Sequence, residues 1–416
     1  MGQLLMRSAP LRLTVCTALL LGSCAARGAA WELDLDLRAV TSDAAPSVLD
    51  GGYSPVRFGE DQSGLQLGRV RLALDLPVGE VWRVHVDASA WGKTYPNPIG
   101  VTEAYLEYRP YPRDDLRLRV KAGAFYAPLS LENRAGGWAS PYTLSYSAMN
   151  SWIAEELRTL GAEAKVDWLG TRLGLPFDVS GVAGVFGWNE GAGAALANGG
   201  FILDDRQTSV FGRVGTLEAA NGAYMEPFRE IDGRAGYYGG TELHFPGRVL
   251  VTALHYDNRA DPTSSDVASH VFAWNTTFNT VGARVEYGPG WTLIGQWIQG
   301  RTEIAPPAAG MLEWPFTADY VLLSRRFGSH HMLSIRFDQF DVDSRGSALD
   351  GDGEQNGHAW TAAYVFDSGK SWTATFEYVR VTSTSYEQSE ALGFSAPLTD
   401  TQLQLAVRYA LSSTGY

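Results

Sequence analysis

Thr401-Gln402-Leu403-Gln404-Leu405-Ala406-Val407-Arg408-Tyr409-Ala410-Leu411 is the stretch that decides the fold. Leu403, Leu405, Val407, Tyr409 and Leu411 alternate with Gln402, Gln404, Ala406, Arg408 and Ala410, a period of two with one apolar face. The pattern recurs where Trp31, Leu33, Leu35 and Leu37 oppose Glu32, Asp34, Asp36 and Arg38. Charges this dense are hard to bury in a sandwich of two sheets. A strand between hydrocarbon and a wet lumen satisfies both faces.

Working outward, segments of this kind are separated alternately by short turns and long loops. The turns read as Pro77–Glu80, Pro110–Asp114, Leu169–Pro176, Asp204–Gln207, Pro246–Arg248, Gly288–Gly290, Gly328–His331 and Asp367–Ser371. Trp82, Trp168, Phe177, Phe245, Tyr287, Trp291, Phe327, Phe366 and Trp372 lie against them. Rings gathered at one end of a set of strands form an interfacial girdle, as in an outer-membrane barrel. The expected fold is all-β, a transmembrane antiparallel β-barrel of eighteen strands from 31–40 to 401–411. Sixteen remain if 195–203 and 208–216 are not strands. Both termini then fall on the periplasmic side, and a phase slip at Gly68 predicts a bulge.

The bulk numbers agree. Among 416 residues there are 46 Gly and 12% aromatics, and no apolar run after the N-terminus approaches the roughly 20 residues of a spanning helix. Residues 1–30 carry Arg7 and Arg12, then an apolar core from Leu13 to Leu21, then small residues to Ala30, the layout of a secretory signal peptide. Cleavage after Ala30 leaves a barrel domain of 31–416 and removes Cys16 and Cys24, the only cysteines. The alternative is a lipoprotein box, Leu21-Gly22-Ser23-Cys24, with Cys24 lipidated. The leader holds three Arg and no acid, so the mature chain sets 46 acidic against 33 − 3 = 30 basic residues. That balance excludes nucleic-acid binding and fits acidic loops beside lipopolysaccharide and its cations.

At the end of the fifth strand, Gly123-Ala124-Phe125-Tyr126-Ala127-Pro128-Leu129-Ser130-Leu131-Glu132 resembles the G-x-F-x-x-P-x-S-x-E stretch of phosphate-selective porins of the O and P type. The resemblance implies an outer-membrane porin, a homotrimer of barrels usually of sixteen strands, with a basic lumen passing anions and a constriction loop starting here. The chain departs from that family in holding only Lys93, Lys121, Lys165 and Lys370. The third loop, Ala127–Leu157, is accordingly expected to fold inward, with a short helical piece in Ala148–Leu157. It brings Glu132, Arg134, Trp138, Tyr142, Tyr146 and Trp152 to the constriction.

The inward phase of the second, third and fifth strands carries Arg69, Arg71, Arg83, Arg117, Arg119 and Lys121, with Arg71, Arg119 and Lys121 expected at similar depth facing the third loop. Successive guanidiniums in a narrow passage concentrate anions. Glu103 and Glu107 on the fourth strand oppose this, because cross-strand ion pairs neutralise such a wall. Trp91, Tyr105, Trp138, Tyr142 and Trp152 read either as a stacking path for sugars or, preferably, as packing of loop against wall. Asp341, Asp343, Asp350, Asp352 and Glu354 crowd one loop, but Gln355 stands where an EF-hand requires Gly, so a solvated acidic loop is expected and no metal or cofactor. The seven His are scattered without a hydrolase pattern, and no enzyme is expected.

The sequence thus points to a passive diffusion channel for small hydrophilic solutes, anionic or neutral, with a preference for anions such as phosphate. A sugar- or cation-preferring porin and a non-conducting structural or adhesin-like barrel are the alternatives.

Overall fold

A computed structural model describes residues 28–92, 98–215, 224–266, 271–307, 309–346 and 351–413. The leader with Cys16 and Cys24 lies outside the described residues, as do Lys93 and Asp350.

Sixteen strands close into one barrel in chain order: β1 (Ala30–Ser42), β2 (Gly64–Val78), β3 (Trp82–Ala90), β4 (Ile99–Tyr108), β5 (Leu116–Phe125), β6 (Thr159–Trp168), β7 (Asp178–Gly187), β8 (Gly236–Phe245), β9 (Val249–Asp257), β10 (Asn275–Tyr287), β11 (Trp291–Ile304), β12 (Leu312–Phe327), β13 (His331–Val342), β14 (Gln355–Asp367), β15 (Trp372–Ser385) and β16 (Leu398–Ser412). Every neighbour is antiparallel, and β16 returns to β1 from Glu32↔Ser412 to Ser42↔Gln402. Closure removes the unpaired N–H and C=O groups that an open edge would expose to hydrocarbon. No described helix is long and apolar enough to cross a membrane.

The two-residue period sorts the side chains. Leu33, Leu35, Leu37, Leu403, Leu405 and Val407 stand exposed on the outer face, while Asp34, Asp36, Arg38, Gln402 and Gln404 turn inward and are buried. At the short-turn rim the aromatic rings touch: Trp82 and Tyr108 have centroids 4.7 Å apart, Phe177 and Phe245 5.9 Å, Phe366 and Trp372 5.4 Å.

The register between β1 and β2 slips between Asp36 and Leu37, whose partners are Arg69 and Leu67, so Gly68 is the extra residue of a bulge. A Cβ there would lie 2.5 Å from Arg38 Nε and 2.7 Å from Asp36 Oδ1. The glycine makes room for that ion pair, and its freed carbonyl accepts Arg57 Nη2 at 2.8 Å.

The strand count corrects the eighteen expected. Residues 195–203 and 208–215 are not barrel strands, residue 216 lying outside the described residues, and Asp204–Gln207 is not a turn at the rim. They belong to the fourth long loop, 188–235, which runs between β7 and β8 and bends into the lumen. Their apolar residues, Phe201, Ile202 and Leu203, are buried inside the barrel instead of facing outward. Periodicity cannot distinguish the two destinations, because both reward apolar side chains equally.

The inner face is divided. From β8 to β14 it is largely apolar, with Tyr238, Leu254, Tyr256, Phe278, Ile294, Ile298, Phe316, Tyr320, Leu322 and Phe340 in one buried cluster with the third loop. From β1 to β6 it is charged.

Candidate functional site

The third loop, 126–158, leaves β5 and crosses the lumen to lie on the far wall. Leu131 N donates to Gln296 Oε1 on β11 at 3.0 Å, Leu144 N to Glu377 Oε2 on β15 at 2.6 Å, and Ala148 N to Asp338 Oδ1 on β13 at 3.2 Å. Arg336 on β13 is the hub. It pairs with Glu132 at 2.6 Å and Asp338 at 2.8 Å, and donates to the carbonyls of Ser145 and Tyr146, both at 2.8 Å. Every group is out of water, where charge-assisted bonds are strong and an unmade one is costly. Glu132 is therefore an anchor. It does not line an aqueous passage.

Helix α1 (Ala148–Glu156) follows, and all nine of its residues are buried. Trp152 packs edge-on against Phe278 at 5.5 Å and Phe316 at 4.9 Å. Trp138 stacks on Tyr126 at 4.3 Å and meets Tyr146 at 5.6 Å. Tyr142 and Trp91 are also buried. These rings pack loop to wall and leave no open aromatic stripe; Tyr105 alone of the set is half exposed.

The loop's tip reaches the charged wall. Gly137 adopts φ 62°, and its carbonyl accepts Arg69 Nη1 at 3.1 Å. A Cβ on Gly137 would sit 2.4 Å from Arg71 Nε, so only glycine fits between loop and wall. Arg71 is held by three acids, Asp87 at 2.6 Å, Glu32 at 2.7 Å and Asp34 at 2.9 Å. Its charge is compensated and buried. The expectation that Arg69 and Arg71 line the pore is thus corrected: both are buried beneath the loop's tip, Arg69 bonded to the Gly137 carbonyl and Arg71 spent on carboxylates of β1 and β3.

The other predicted wall residues lie closer to water. Arg83 is about one-third exposed and reaches Glu107 at 3.3 Å and Asp75 at 3.4 Å. Arg117 is half exposed, with Asp167 at 3.9 Å. Arg119 stands opposite Lys165 in the β5–β6 register, and Lys165 turns aside to pair with Glu242. Lys121 lies over the rings of Tyr105 at 4.9 Å and Phe125 at 5.3 Å. Among the described residues, neither Arg119 nor Lys121 has an ion-pair partner. Glu107 pairs with Arg83 and Arg109, and Glu103 accepts Tyr126 N at 3.1 Å, so neither neutralises the β5 cations by a direct bond. Arg134 is exposed and likewise unpaired; it lines a recess with His244, Arg248, Arg284 and Glu286 near the short-turn rim.

A second segment fills the lumen. After helix α2 (Ala194–Gly199), the fourth loop crosses from β14, where Phe201 N donates to Gln355 Oε1 at 2.7 Å, to β4, where Val210 N donates to Val101 O at 2.8 Å. Midway, Asp205 receives Arg38 at 2.5 Å and Arg57 at 2.5 Å. Burial would raise the Asp205 carboxyl, but these two guanidiniums hold it well below the usual carboxylate range. Gln207 Nε2 donates to Gly137 O at 2.8 Å, and Thr208 O accepts Arg158 Nη2 at 2.8 Å, tying the segment to the tip of the third loop and to its C-terminal end. The residues missed by sequence reasoning are these: Arg57, Asp205, Arg336 and Glu377. Arg336 and Glu377 were legible as charges in the inward phase; nothing local marked Arg57 and Asp205.

No family model matches the chain, and no curated protein matches its sequence. Solved structures match its shape. The outer membrane channel DcaP of Acinetobacter baumannii is 12% identical over 93% of this chain and 99% of that chain, with a TM-score of 0.56. This is a porin fold. The anion-selective porin from Comamonas acidovorans superposes with a TM-score of 0.51 at 11% identity, over 92% and 99% of the two chains. The loop L8 deletion mutant of OmpT, an outer membrane protein of Vibrio cholerae, gives 0.52 at 10% identity, over 92% and 98%. At such identities the likeness is one of fold, and the porin-like lumen must be read from this chain's own residues.

Proposed function

We propose that this chain is an outer-membrane porin, a passive channel for small hydrophilic solutes that favours anions such as phosphate. The single observation that carries the anion preference is the set Arg119, Lys121 and Arg134, three cations at least partly exposed and with no ion-pair partner among the described residues. Cations already paired, such as Arg71, add little field. Unpaired ones between low-dielectric walls lower the entry barrier for anions and raise it for cations, by an amount that salt screens. The closed barrel, its outward apolar belt and its aromatic rim support an outer-membrane location, with the short turns toward the periplasm. The resemblance of 123–132 to phosphate-selective porins supports phosphate as the type anion and a homotrimer in contact with lipid and lipopolysaccharide.

Reversal potential in a salt gradient across a planar bilayer tests this. An anion-selective wild type that shifts toward cations when Arg119, Lys121 and Arg134 are all replaced by Gln is the expected result. A cation-selective wild type, or no conductance at all, overturns it.

A further inference from the structure

The two ends of the fourth loop meet at three carboxylates that the channel reading does not use. Glu190 leaves β7, and Glu230 and Asp232 lead into β8; one oxygen from each lies within 4.8 Å of the others. Glu190 is 2% exposed. Its Oε2 accepts Ile231 N at 2.6 Å and Asp232 N at 3.0 Å, yet no N–H or O–H donor reaches its buried Oε1. Glu230 uses Oε2 to accept Trp188 N at 2.7 Å. Asp232 accepts Arg234 N at 2.7 Å and also Asp261 N. Among the described residues, the cation paired with one of these acids is Arg234, whose Nε is 3.8 Å from Asp232, whose Nη2 reaches Asp261 at 2.8 Å and whose side chain is half exposed.

A buried carboxylate oxygen without a donor, on a residue clustered with two further carboxylates, is an unfavourable arrangement unless a proton or a cation is shared between them. Oxygen-only donors at this spacing suit a hard divalent ion in a flexible shell, and chain segments from both ends of a loop supply them. We propose that Glu190, Glu230 and Asp232 form a calcium-type divalent cation site that clasps the base of the fourth loop. The clasp fixes the ends of the same loop whose middle, 201–210, crosses the lumen, so the ion holds that crossing segment in place. The competing arrangement is a proton shared between the carboxyls of Glu190 and Asp232.

The purified full-length protein in detergent, titrated with terbium at neutral pH and excited through tryptophan, tests the site. Trp188 N and Trp274 N bond Glu230 and the Glu190 carbonyl respectively, which brings indoles near enough to sensitise emission. Saturable emission displaced by calcium, and weakened at least tenfold in both Glu190→Gln and Asp232→Asn, is expected. Glu190→Gln keeps an acceptor for the two backbone N–H groups, and heat-modifiable mobility on a gel checks that each variant is a folded barrel. Asp343→Asn in the seventh loop should leave the emission unchanged. Emission unaltered by both cluster variants, or absent from the wild type, overturns the site.

Discussion

Arg38 on β1 and Asp205 in the fourth loop are 167 residues apart in the chain and meet as a fork, Nη1 to Oδ1 at 3.1 Å and Nη2 to Oδ2 at 2.5 Å. Asp36 and Gln404 hold the same guanidinium from the barrel side, so the strand presents a preset socket to the loop. Removing one partner of a buried pair typically costs about 3–5 kcal/mol. Asp205→Asn should therefore release the crossing segment, raise single-channel conductance and increase amide exchange across 201–210. Acid should do the same, because a carboxylate held below its unfolded value loses its contribution as pH falls below about 4. Unchanged conductance and exchange in the variant would mean that the segment is held by its apolar residues alone.

Selectivity and stability should separate on the charged wall. Arg119→Gln with Lys121→Gln removes two unpaired cations and should move the reversal potential toward cations, most at low ionic strength. Arg71→Gln strips a buried guanidinium from three carboxylates and should lower thermal stability by about 3–5 kcal/mol while leaving selectivity nearly as it was. A larger selectivity change from Arg71 than from the β5 pair would reverse these assignments.

Gly137 should tolerate no side chain. At φ 62° a β-branched residue is strained by roughly 1–2 kcal/mol, and its Cβ meets Arg71 at 2.4 Å. Gly137→Val is expected to lift the loop's tip, widening the conductance distribution and lowering the temperature at which the barrel unfolds on a gel. The same change at Gly174, also at positive φ but with open space around it, should show the strain alone.

Glu156 at the end of α1 sits in a dry pocket, accepting Trp152 Nε1 at 2.7 Å and Ala195 N at 2.8 Å, and burial pushes it up to about 7. A folded value above the unfolded carboxyl, about 4.3, means that the protonated form is preferred in the fold. Its contribution is whole below about 4.3 and lost as pH rises through about 7. Amide protection in 148–156 and 194–199, with the intrinsic base-catalysed rate divided out, should hence be lower at pH 8 than at pH 6. Glu156→Gln should flatten that difference; an identical pH difference in the variant assigns it to another group.

Processing is expected after Ala30. Mass spectrometry of outer-membrane protein should find Trp31 as the N-terminus, and a triacylated Cys24 would falsify this.

The barrel was legible in the sequence because its determinants are local. Alternation in 401–411 and 31–38 puts each residue on its face whatever its neighbours do, and the rings beside each short turn mark one rim without knowledge of pairing. The slip at Gly68 was visible for the same reason. The third loop's inward fold was expected from the residues that begin it, and its rings lie packed between loop and wall. What the sequence could not settle was which charges are spent on each other. Arg71 and Arg119 read alike on paper, two inward cations of similar depth; Glu32, Asp34 and Asp87 converge on the first and, among the described residues, no acid bonds the second, and that depends on strand register and side-chain reach. The fourth loop failed similarly. Residues 195–203 and 208–216 have strand-like apolar content, but Asp205 finds Arg38 and Arg57 across the lumen, and no window along the chain contains all three. Period and interface residues determined the closed barrel; only the tertiary structure decided what occupies its interior, because long-range ion pairing and loop packing are properties of distance in space.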